Sequence, residues 1–261
     1  MQKNIYSLLL LLLSFGMTSP AFSQWQNLFK KEVFITKSDS LPYRILYPKN
    51  FDTTKEYPVV FFLHGSGQRG NDNEKQLVHF VNYFASDSIR SIFEFIAVLP
   101  QCATGDYWGT VNRREISGGL EFDFLPNEKQ GKSGESFVKL VYELKKKSYI
   151  SNDKLYLTGM SMGGIGTMDI LYRNPDLFKA ALVICGGGNP NYVQNFATKV
   201  PIWFFHGDKD NVVKTEYAYQ LVEAIRKAGG EPKMTIYEGI GHNVWDFVPK
   251  EKGILDWLLS K

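Results

Sequence analysis

The sequence has few of the features that mark disulfide frameworks, nucleic-acid binders or metalloproteins. Only two of its 261 residues are cysteines, which excludes a scaffold of several bridges. The net charge is +3, and the basic block at 145–147 is predicted to be the solvated face of a helix, so nucleic acid is a poor candidate partner. No residues have the spacing of a metal site, and we expect neither a metal nor another cofactor.

The first 23 residues have the pattern of a secretory signal peptide. Lys3 supplies the positive charge, an unbroken apolar run covers residues 8–13, and Ala21-Phe22-Ser23 matches a cleavage site. A spanning helix needs about 20 apolar residues, so this shorter run favours a cleaved signal peptide over a membrane anchor, and no later apolar segment is long enough to span a membrane. We expect a secreted or periplasmic protein with no stable membrane insertion after cleavage, formed by a single domain over residues 24–261.

The rest of the chain alternates between apolar runs and amphipathic segments. Runs that are apolar on both faces predict parallel strands at 58–63, 93–99, 154–157, 180–184, 201–205 and 233–237. Helices are predicted at 135–147, 162–173, 215–228 and 253–260. Alternating segments at 32–37 and 41–47 predict an antiparallel N-terminal edge. The predicted fold is therefore α/β, with a mostly parallel, doubly wound sheet that presents its sites at the carboxyl ends of the strands.

A Gly-Met-Ser-Met-Gly sequence places Ser161 between a predicted strand and a predicted helix. The G-x-S-x-G pattern is weak by itself, since an ordinary glycine-rich turn can have it. A strand–turn–helix setting is what a nucleophile elbow requires, because the sharp turn exposes the serine hydroxyl. Glycines at positions 159 and 163 are expected because side chains there would meet the neighbouring strand and helix. Ser161 is the candidate nucleophile.

A serine nucleophile needs a base and an acid, which in this strand–helix order follow it along the chain. His242 lies just past the last predicted strand and is the candidate base, whereas His206 is predicted to be a buried histidine bonded to the backbone. Asp208 and Asp210 both follow the strand at 201–205. We choose Asp210 as the acid, because it is farther from the strand end and can reach the imidazole. Asp208 is kept as the alternative acid, although it could instead cap the turn. Asp246 is predicted to cap the last helical region.

The glycine-rich loop after the first parallel strand is the candidate oxyanion hole. Its backbone N–H at Ser66, with that of Met162 after the nucleophile, would hold the developing negative charge. Candidate substrate-binding residues are Gln101, Trp108 and Trp245, although either tryptophan could instead anchor its own loop. Residues 103–132 show weak periodicity and are predicted to be a long loop that carries selectivity.

These motifs together resemble a known family. Residues 63–73, 100–102, 158–164, 185–188, 206–210 and 241–245 are similar to those of small bacterial α/β hydrolases of the predicted-peptidase or prolyl-oligopeptidase type, which are akin to feruloyl and acetyl esterases and to phospholipase/carboxylesterases. The resemblance implies the α/β-hydrolase fold, with Ser161, Asp210 and His242 as catalytic residues. Prolyl oligopeptidases carry an additional propeller domain, and a chain of 261 residues has no room for one.

The resemblance implies a secreted serine esterase that cleaves carboxylic esters through an acyl-enzyme and that removes acyl groups from glycans. The expected partner is a small-molecule or glycan ester. Two alternatives stay open: a serine peptidase acting on short peptides, and a catalytically inactive hydrolase that serves as a binding protein. Cys102 and Cys185 follow strands that would lie three positions apart, roughly 14 Å, so both are predicted to be free thiols.

Overall fold

The computed structural model describes residues 24–37, 39–117 and 119–261, so the predicted signal segment lies outside the described residues. Its main sheet has eight strands. In chain order they are β1 (Lys30–Ile35), β2 (Ser40–Leu46), β3 (Tyr57–Leu63), β4 (Ile96–Pro100), β7 (Ile150–Met160), β8 (Ala180–Ile184), β9 (Ile202–Gly207) and β10 (Lys233–Tyr237). The two remaining strands form a separate hairpin, β5 (Val111–Ile116) and β6 (Gly119–Phe124).

The order across the main sheet is β1-β2-β4-β3-β7-β8-β9-β10. The pairs β1–β2 and β2–β4 are antiparallel, and every pair from β4 to β10 is parallel. This arrangement confirms the predicted α/β-hydrolase fold with an antiparallel N-terminal edge. The central strands β4 and β8 are buried along their whole length, because core side chains cover both faces of the sheet.

The described helices are α1 (Val81–Ala85), α2 (Asp87–Arg90), α3 (Lys132–Leu144), α4 (Met162–Arg173), α5 (Thr215–Lys227) and α6 (Ile254–Leu259). Helix α4 has the predicted bounds, whereas α3 begins three residues before the predicted start at 135. The lysines at 145–147 follow α3 and continue as turns, since the buried stripe of that helix ends at Leu144.

The prediction that Asp246 caps the last helix is wrong. Asp246 lies inside a short 3-10 turn, Val244–Asp246, and its carboxylate accepts a hydrogen bond from the Asn243 side chain. Helix α6 begins only at Ile254, after Gly253 in the left-handed region at φ 73°. Glycine adopts this conformation without the strain that a Cβ would add, so Gly253 redirects the chain into the helix.

The prediction of an unstructured loop over 103–132 is also wrong. Strands β5 and β6 pair antiparallel over their full length, with Val111 opposite Phe124. The Phe122 amide donates a hydrogen bond to the hydroxyl of Tyr217 on α5, and the Asn189 side chain donates one to the Phe124 carbonyl. The hairpin is therefore hydrogen-bonded to the body of the domain, and it lies over the carboxyl ends of the sheet strands.

Two apolar cores pack on the two faces of the sheet. One contains Phe61 and Phe137 with the helices α3, α4 and α5, and the other contains Phe62 and Phe84 with α1 and α6. Cys102 and Cys185 are free, as predicted, and both are buried. None of the helices among the described residues combines the length and the apolar character that crossing a bilayer demands.

Candidate active site

Ser161 lies at the turn between β7 and α4, in a backbone conformation that few residues adopt. Its φ is 53° and its ψ is −118°, and its amide donates to the Ile184 carbonyl at 2.8 Å. A Cβ on Gly159 would overlap the Gly163 backbone, and one on Gly163 would overlap the Leu63 backbone. These overlaps explain why the predicted elbow needs glycine on both sides of the serine.

The side chains of Ser161, His242 and Asp210 form one hydrogen-bonded line. The distance from the Ser161 Oγ to the His242 Nε2 is 2.8 Å, and that from the His242 Nδ1 to an Asp210 carboxylate oxygen, Oδ2, is 2.7 Å. Asp210 follows β9 and His242 follows β10, so neighbouring parallel strands deliver the two groups to the same edge of the sheet. The geometry is that of a nucleophile, a base and an acid that orients the base.

The Asp210 carboxylate has every oxygen occupied. Oδ1 accepts the amides of Val212 and Val213 at 2.9 and 3.0 Å. Oδ2 accepts from His242 and also lies 3.2 Å from the His206 Nε2. Burial raises the pKa of the Asp210 carboxyl, but hydrogen bonds from His206 and His242 outweigh burial and hold that pKa below its usual range. The carboxylate is therefore ionised at neutral pH.

The contact between His206 and Asp210 was not predicted from the sequence. His206 is buried, and its Nε2 donates to the Val213 carbonyl at 2.8 Å, which confirms the predicted backbone bond. The same N–H lies close to the acid, so His206 helps to hold the carboxylate in place. The His-Gly-Asp-Lys-Asp order at 206–210 puts the histidine four residues before the acid, a spacing that could have suggested the contact.

Asp208, the alternative acid, forms a hydrogen bond with the loop after β10. Its Oδ1 accepts the Gly239 amide at 2.7 Å, so its carboxylate holds the loop that follows β10. Asp208 lies outside the hydrogen bonds of the Ser161–His242–Asp210 line and fixes the loop that carries the histidine.

The predicted oxyanion loop lies next to the serine. A Cβ on Gly65 would be 3.6 Å from the Ser161 Cβ, and Ser66 and Met162 line the same cavity as Ser161. Met162 is the first residue of α4, where backbone N–H groups have no acceptor within the helix. The two residues predicted to supply the donors therefore border the same cavity as Ser161.

His64 holds the predicted oxyanion loop through two hydrogen bonds. It is fully buried, its Nδ1 donates to the Gly65 carbonyl at 2.7 Å, and its Nε2 accepts the Cys102 amide at 2.9 Å. Burial lowers the pKa of His64 to about 4, so the ring is neutral at neutral pH. A neutral imidazole with a proton on Nδ1 satisfies both bonds at once.

The prediction that Gln101 and Trp108 bind substrate is wrong. Both side chains are fully buried. The Gln101 side-chain oxygen accepts a hydrogen bond from the Asn73 backbone N–H, and the Gln101 side-chain nitrogen donates to the Gln68 carbonyl and the Asp72 carboxylate. The Trp108 indole N–H donates to the His64 carbonyl. Each side chain ties the oxyanion loop to a neighbouring segment. For Trp108 the structure thus shows the loop-anchoring alternative.

Trp245 lies beside the candidate base. Its ring meets the His242 ring edge-on, with centroids 5.3 Å apart, and meets the His79 ring at 5.1 Å. Trp245 is half-buried and His79 is exposed at φ 57°. The tryptophan therefore packs directly against the imidazole, at the exposed side of the site.

The wall opposite the oxyanion loop comes from the hairpin. A cavity reaches Ser161, and Val111, Arg113, Leu120 and Phe122 of β5 and β6 line it. Sequence reasoning missed these residues. The alternation of apolar and charged residues over 120–124, directly after Ser-Gly-Gly, is a hairpin signal that could have found them.

One group of metal-binding residue types occurs among the described residues. The Cys185 sulfur, an Asp210 oxygen and a His242 nitrogen lie within 4.8 Å of one another. His242 and Asp210 already share a hydrogen bond, and burial raises the pKa of the Cys185 thiol well above its usual value. A protonated thiol is a poor metal ligand, so these three residues fit a hydrogen-bonded histidine–aspartate pair beside a neutral thiol better than a metal centre.

Comparison with known proteins adds a family to this geometry. A model of the Dienelactone hydrolase family matches residues 93–251, which is more than half of the chain. Protein usf of Aquifex pyrophilus is 28% identical over 57% of this chain and 62% of its own length. Dipeptidyl-peptidase 5 of Porphyromonas endodontalis is 22% identical over 85% of this chain and 35% of its own length. The chain thus spans less than two thirds of either relative.

The solved structures agree with the fold. The structure of a thermostable esterase superposes with a TM-score of 0.78 and 30% identity, over 90% of this chain and 64% of that one. Similar sequences also include a probable carboxylesterase of Oryza sativa and a bifunctional acetylxylan esterase/xylanase of Neocallimastix patriciarum, and similar structures include a ferulic acid esterase and a dipeptidyl peptidase of Porphyromonas gingivalis. Esterases and peptidases thus both occur among proteins that are similar to this chain.

Proposed function

The chain belongs to the dienelactone hydrolase family, and on that premise we propose that it is a serine hydrolase that cleaves carboxylic esters through an acyl-enzyme. The observation that carries the proposal is the hydrogen-bonded line from the Ser161 Oγ through His242 to Asp210, at 2.8 and 2.7 Å. Such a line makes a serine hydroxyl nucleophilic, because the imidazole takes its proton as it attacks.

The proposed reaction has two halves. In the first, the Ser161 Oγ attacks the ester carbonyl carbon while the His242 Nε2 takes the hydroxyl proton, and the N–H groups of Ser66 and Met162 hold the oxyanion. The C–O bond to the alcohol then breaks, and His242 returns the proton to the leaving oxygen. In the second half, water replaces the alcohol and the same steps release the acid and regenerate the serine. Asp210 stabilises the imidazolium at each stage.

An ester is favoured over a peptide by the identity of this chain to the proteins compared with it. The thermostable esterase is 30% identical to this chain, whereas dipeptidyl-peptidase 5 is 22% identical. The peptidase alternative is kept because dipeptidyl peptidases recur among the similar structures. The alternative of an inactive binding protein is disfavoured, since the serine, the histidine and the aspartate are all present at hydrogen-bond distance.

We also propose that the enzyme acts outside the cytoplasm and removes acyl groups from glycans. The signal-like pattern of residues 1–23 supports export. An acetylxylan esterase and a ferulic acid esterase among the similar proteins support a glycan ester as substrate. Cell fractionation with sequencing of the mature N-terminus tests the first point; a protein that stays in the cytoplasm and begins at Met1 would contradict it.

An ester and amide panel tests the activity. The protein purified without residues 1–23 is assayed on p-nitrophenyl acetate and butyrate, methyl ferulate, acetylated xylan and a set of peptide amides. We expect ester turnover that falls by about 10³-fold or more in Ser161→Ala, since the hydroxyl is the attacking group. Turnover that survives this substitution, or turnover of amides alone, would contradict the proposal.

A further inference from the structure

Two cavities meet at a single side chain, Ile165. The near cavity is the one that reaches Ser161, and it is lined by Leu120, Phe122 and Ile165. The far cavity does not reach the serine and is lined by Phe124, Met168, Tyr172 and, again, Ile165. Ile165 is buried, so its side chain lies between the two spaces rather than in solvent.

One face of α4 forms a common wall of both cavities. Ile165 lies four residues after Ser161, and Met168 and Tyr172 follow at spacings of three and four. Residues at these spacings lie on one side of a helix, one above the other. The wall therefore runs continuously from the nucleophile, along the helix, to the end of the far cavity.

One face of β6 forms the opposite wall. Leu120 and Phe122 line the near cavity, and Phe124 lines the far one. Side chains two residues apart on a strand point to the same side, and the rings of Phe122 and Phe124 lie nearly parallel, 10° apart, with centroids at 6.1 Å. Both walls pass from the near to the far cavity in the same direction, so the two cavities are successive parts of one furrow between α4 and β6.

The lining of the furrow is mainly apolar in its far cavity. The polar groups that line the far cavity are bonded within the protein: Asp169 pairs with Arg173 at 2.8 Å, Asn189 donates to the Phe124 carbonyl, and the Tyr192 hydroxyl accepts from Asn127. What remains exposed to the cavity is the apolar surface of Phe124, Met168 and the tyrosine rings. Such a space fits a hydrocarbon chain better than a sugar or a peptide backbone.

We propose that the furrow holds the acyl chain of the ester and that Ile165 sets the length of chain the enzyme accepts. This inference rests on the proposed ester hydrolysis, because it assigns the space next to Ser161 to the acyl group. In the acyl-enzyme, the acyl chain extends from the carbonyl carbon bonded to the Ser161 Oγ, runs along α4 and stops at the Ile165 side chain. Shortening that side chain joins the near and far cavities and lets a longer chain enter.

A chain-length series tests the proposal. The kcat/KM values for p-nitrophenyl acetate, butyrate and octanoate are measured for the wild type, Ile165→Ala and Ile165→Val. We expect the octanoate-to-butyrate ratio to rise about tenfold or more in Ile165→Ala, and to rise less in Ile165→Val, since each methylene placed in an apolar pocket changes kcat/KM by about that factor. The valine variant keeps the test informative if the alanine variant folds poorly.

Ile170→Val is the matched control. Ile170 lies on the same helix and is equally buried, but it lines neither cavity, so the ratio stays at the wild-type value. If the wild type turns over acetate but the octanoate-to-butyrate ratio is the same in all variants, the role of Ile165 is overturned while the proposed ester hydrolysis stands. An absence of ester turnover in the wild type would instead overturn the proposed function, and the furrow assignment with it.

Discussion

At the scale of single residues, the site depends on buried imidazoles as much as on the reactive one. His206 lies 3.2 Å from the Asp210 carboxylate and His64 bonds to the oxyanion loop, and neither reaches the substrate cavity. Both act through another group. His206 helps to hold the candidate acid, and His64 holds the backbone that would bind the oxyanion.

His206→Phe tests the first of these roles. Loss of an N–H that points at an ionised carboxylate costs about 1.5–3 kcal/mol, so we expect kcat/KM to fall by roughly 10- to 150-fold. The pKa of Asp210 rises without that donor, and its less stabilised charge binds the imidazolium more strongly, which shifts the acid limb of the kcat/KM profile to higher pH.

His206→Gln is the control for that prediction, because its amide N–H can replace the donor. We expect the glutamine variant to recover most of the rate and the wild-type pH profile. A purely structural role for His206 would lower the rate of the phenylalanine variant without moving the acid limb.

His64 makes stability depend on pH. Its pKa is about 4 in the folded protein and about 6.5 in the unfolded chain, so between these values only the unfolded state binds the proton. The free energy of unfolding therefore falls as the pH drops from 6.5 to 4, by an amount on the order of 3 kcal/mol.

Urea unfolding of the wild type and of His64→Gln at pH 7, 5.5 and 4 measures this contribution. The variant loses less stability across the range, since glutamine does not titrate. His79→Gln is the comparison, because His79 is exposed and its substitution changes the pH dependence less. Equal slopes for the wild type and His64→Gln would contradict the prediction.

At the scale of elements, the strand–turn–helix unit from β7 to α4 has little room for change. Ser161 adopts a positive φ, and the glycines on either side pack against backbone. The hairpin of β5 and β6 is different: charged side chains at Arg113, Arg114 and Glu115 lie exposed on it. One element thus fixes the candidate nucleophile, and the other supplies a partly exposed wall of the cavity that reaches Ser161.

Gly163→Ala tests the packing of the elbow. Its Cβ would overlap the Leu63 backbone of β3, so we expect the free energy of unfolding to fall by about 3 kcal/mol or more. Gly67→Ala is the matched control, since a Cβ there has nothing within 4 Å. Thermal and urea unfolding compare the two. A Gly163→Ala protein as stable as Gly67→Ala would refute the tight approach of α4 to β3.

At the scale of the whole molecule, the parallel sheet gathers groups from distant parts of the chain. Ser161, Asp210 and His242 follow three different strands, β7, β9 and β10, and meet at one edge. The same sheet order keeps the thiols apart. Cys102 follows β4 and Cys185 follows β8, and β3 and β7 lie between those strands.

The accessibility of the thiols is the prediction at this scale. Both cysteines are fully buried and unbridged, so iodoacetamide under non-reducing conditions should modify neither in the folded protein and both after unfolding in urea. Intact mass gives the count. A protein that takes up no label after unfolding until a reductant is added would contradict the prediction.

The sequence alone determined the class of fold and the three groups of the candidate site. Runs apolar on both faces indicate a parallel sheet covered on both sides, and the position of the G-x-S-x-G sequence between a strand and a helix predicts the turn at Ser161. These are local patterns, which periodicity and residue type reveal. The positions of His242 and Asp210 followed from the same reasoning, because parallel strands end at one edge.

Tertiary structure decided which aromatic and polar side chains line the cavity that reaches Ser161. Trp108 and Gln101 lie in glycine-containing loops near the strand ends, as substrate-binding residues do, yet both are turned inward to bond with the oxyanion loop. The half-buried residues of β6 line the site instead. A side chain's direction depends on which segments pack against its loop, and those contacts join residues that are far apart in the chain, such as Phe122 and Tyr217.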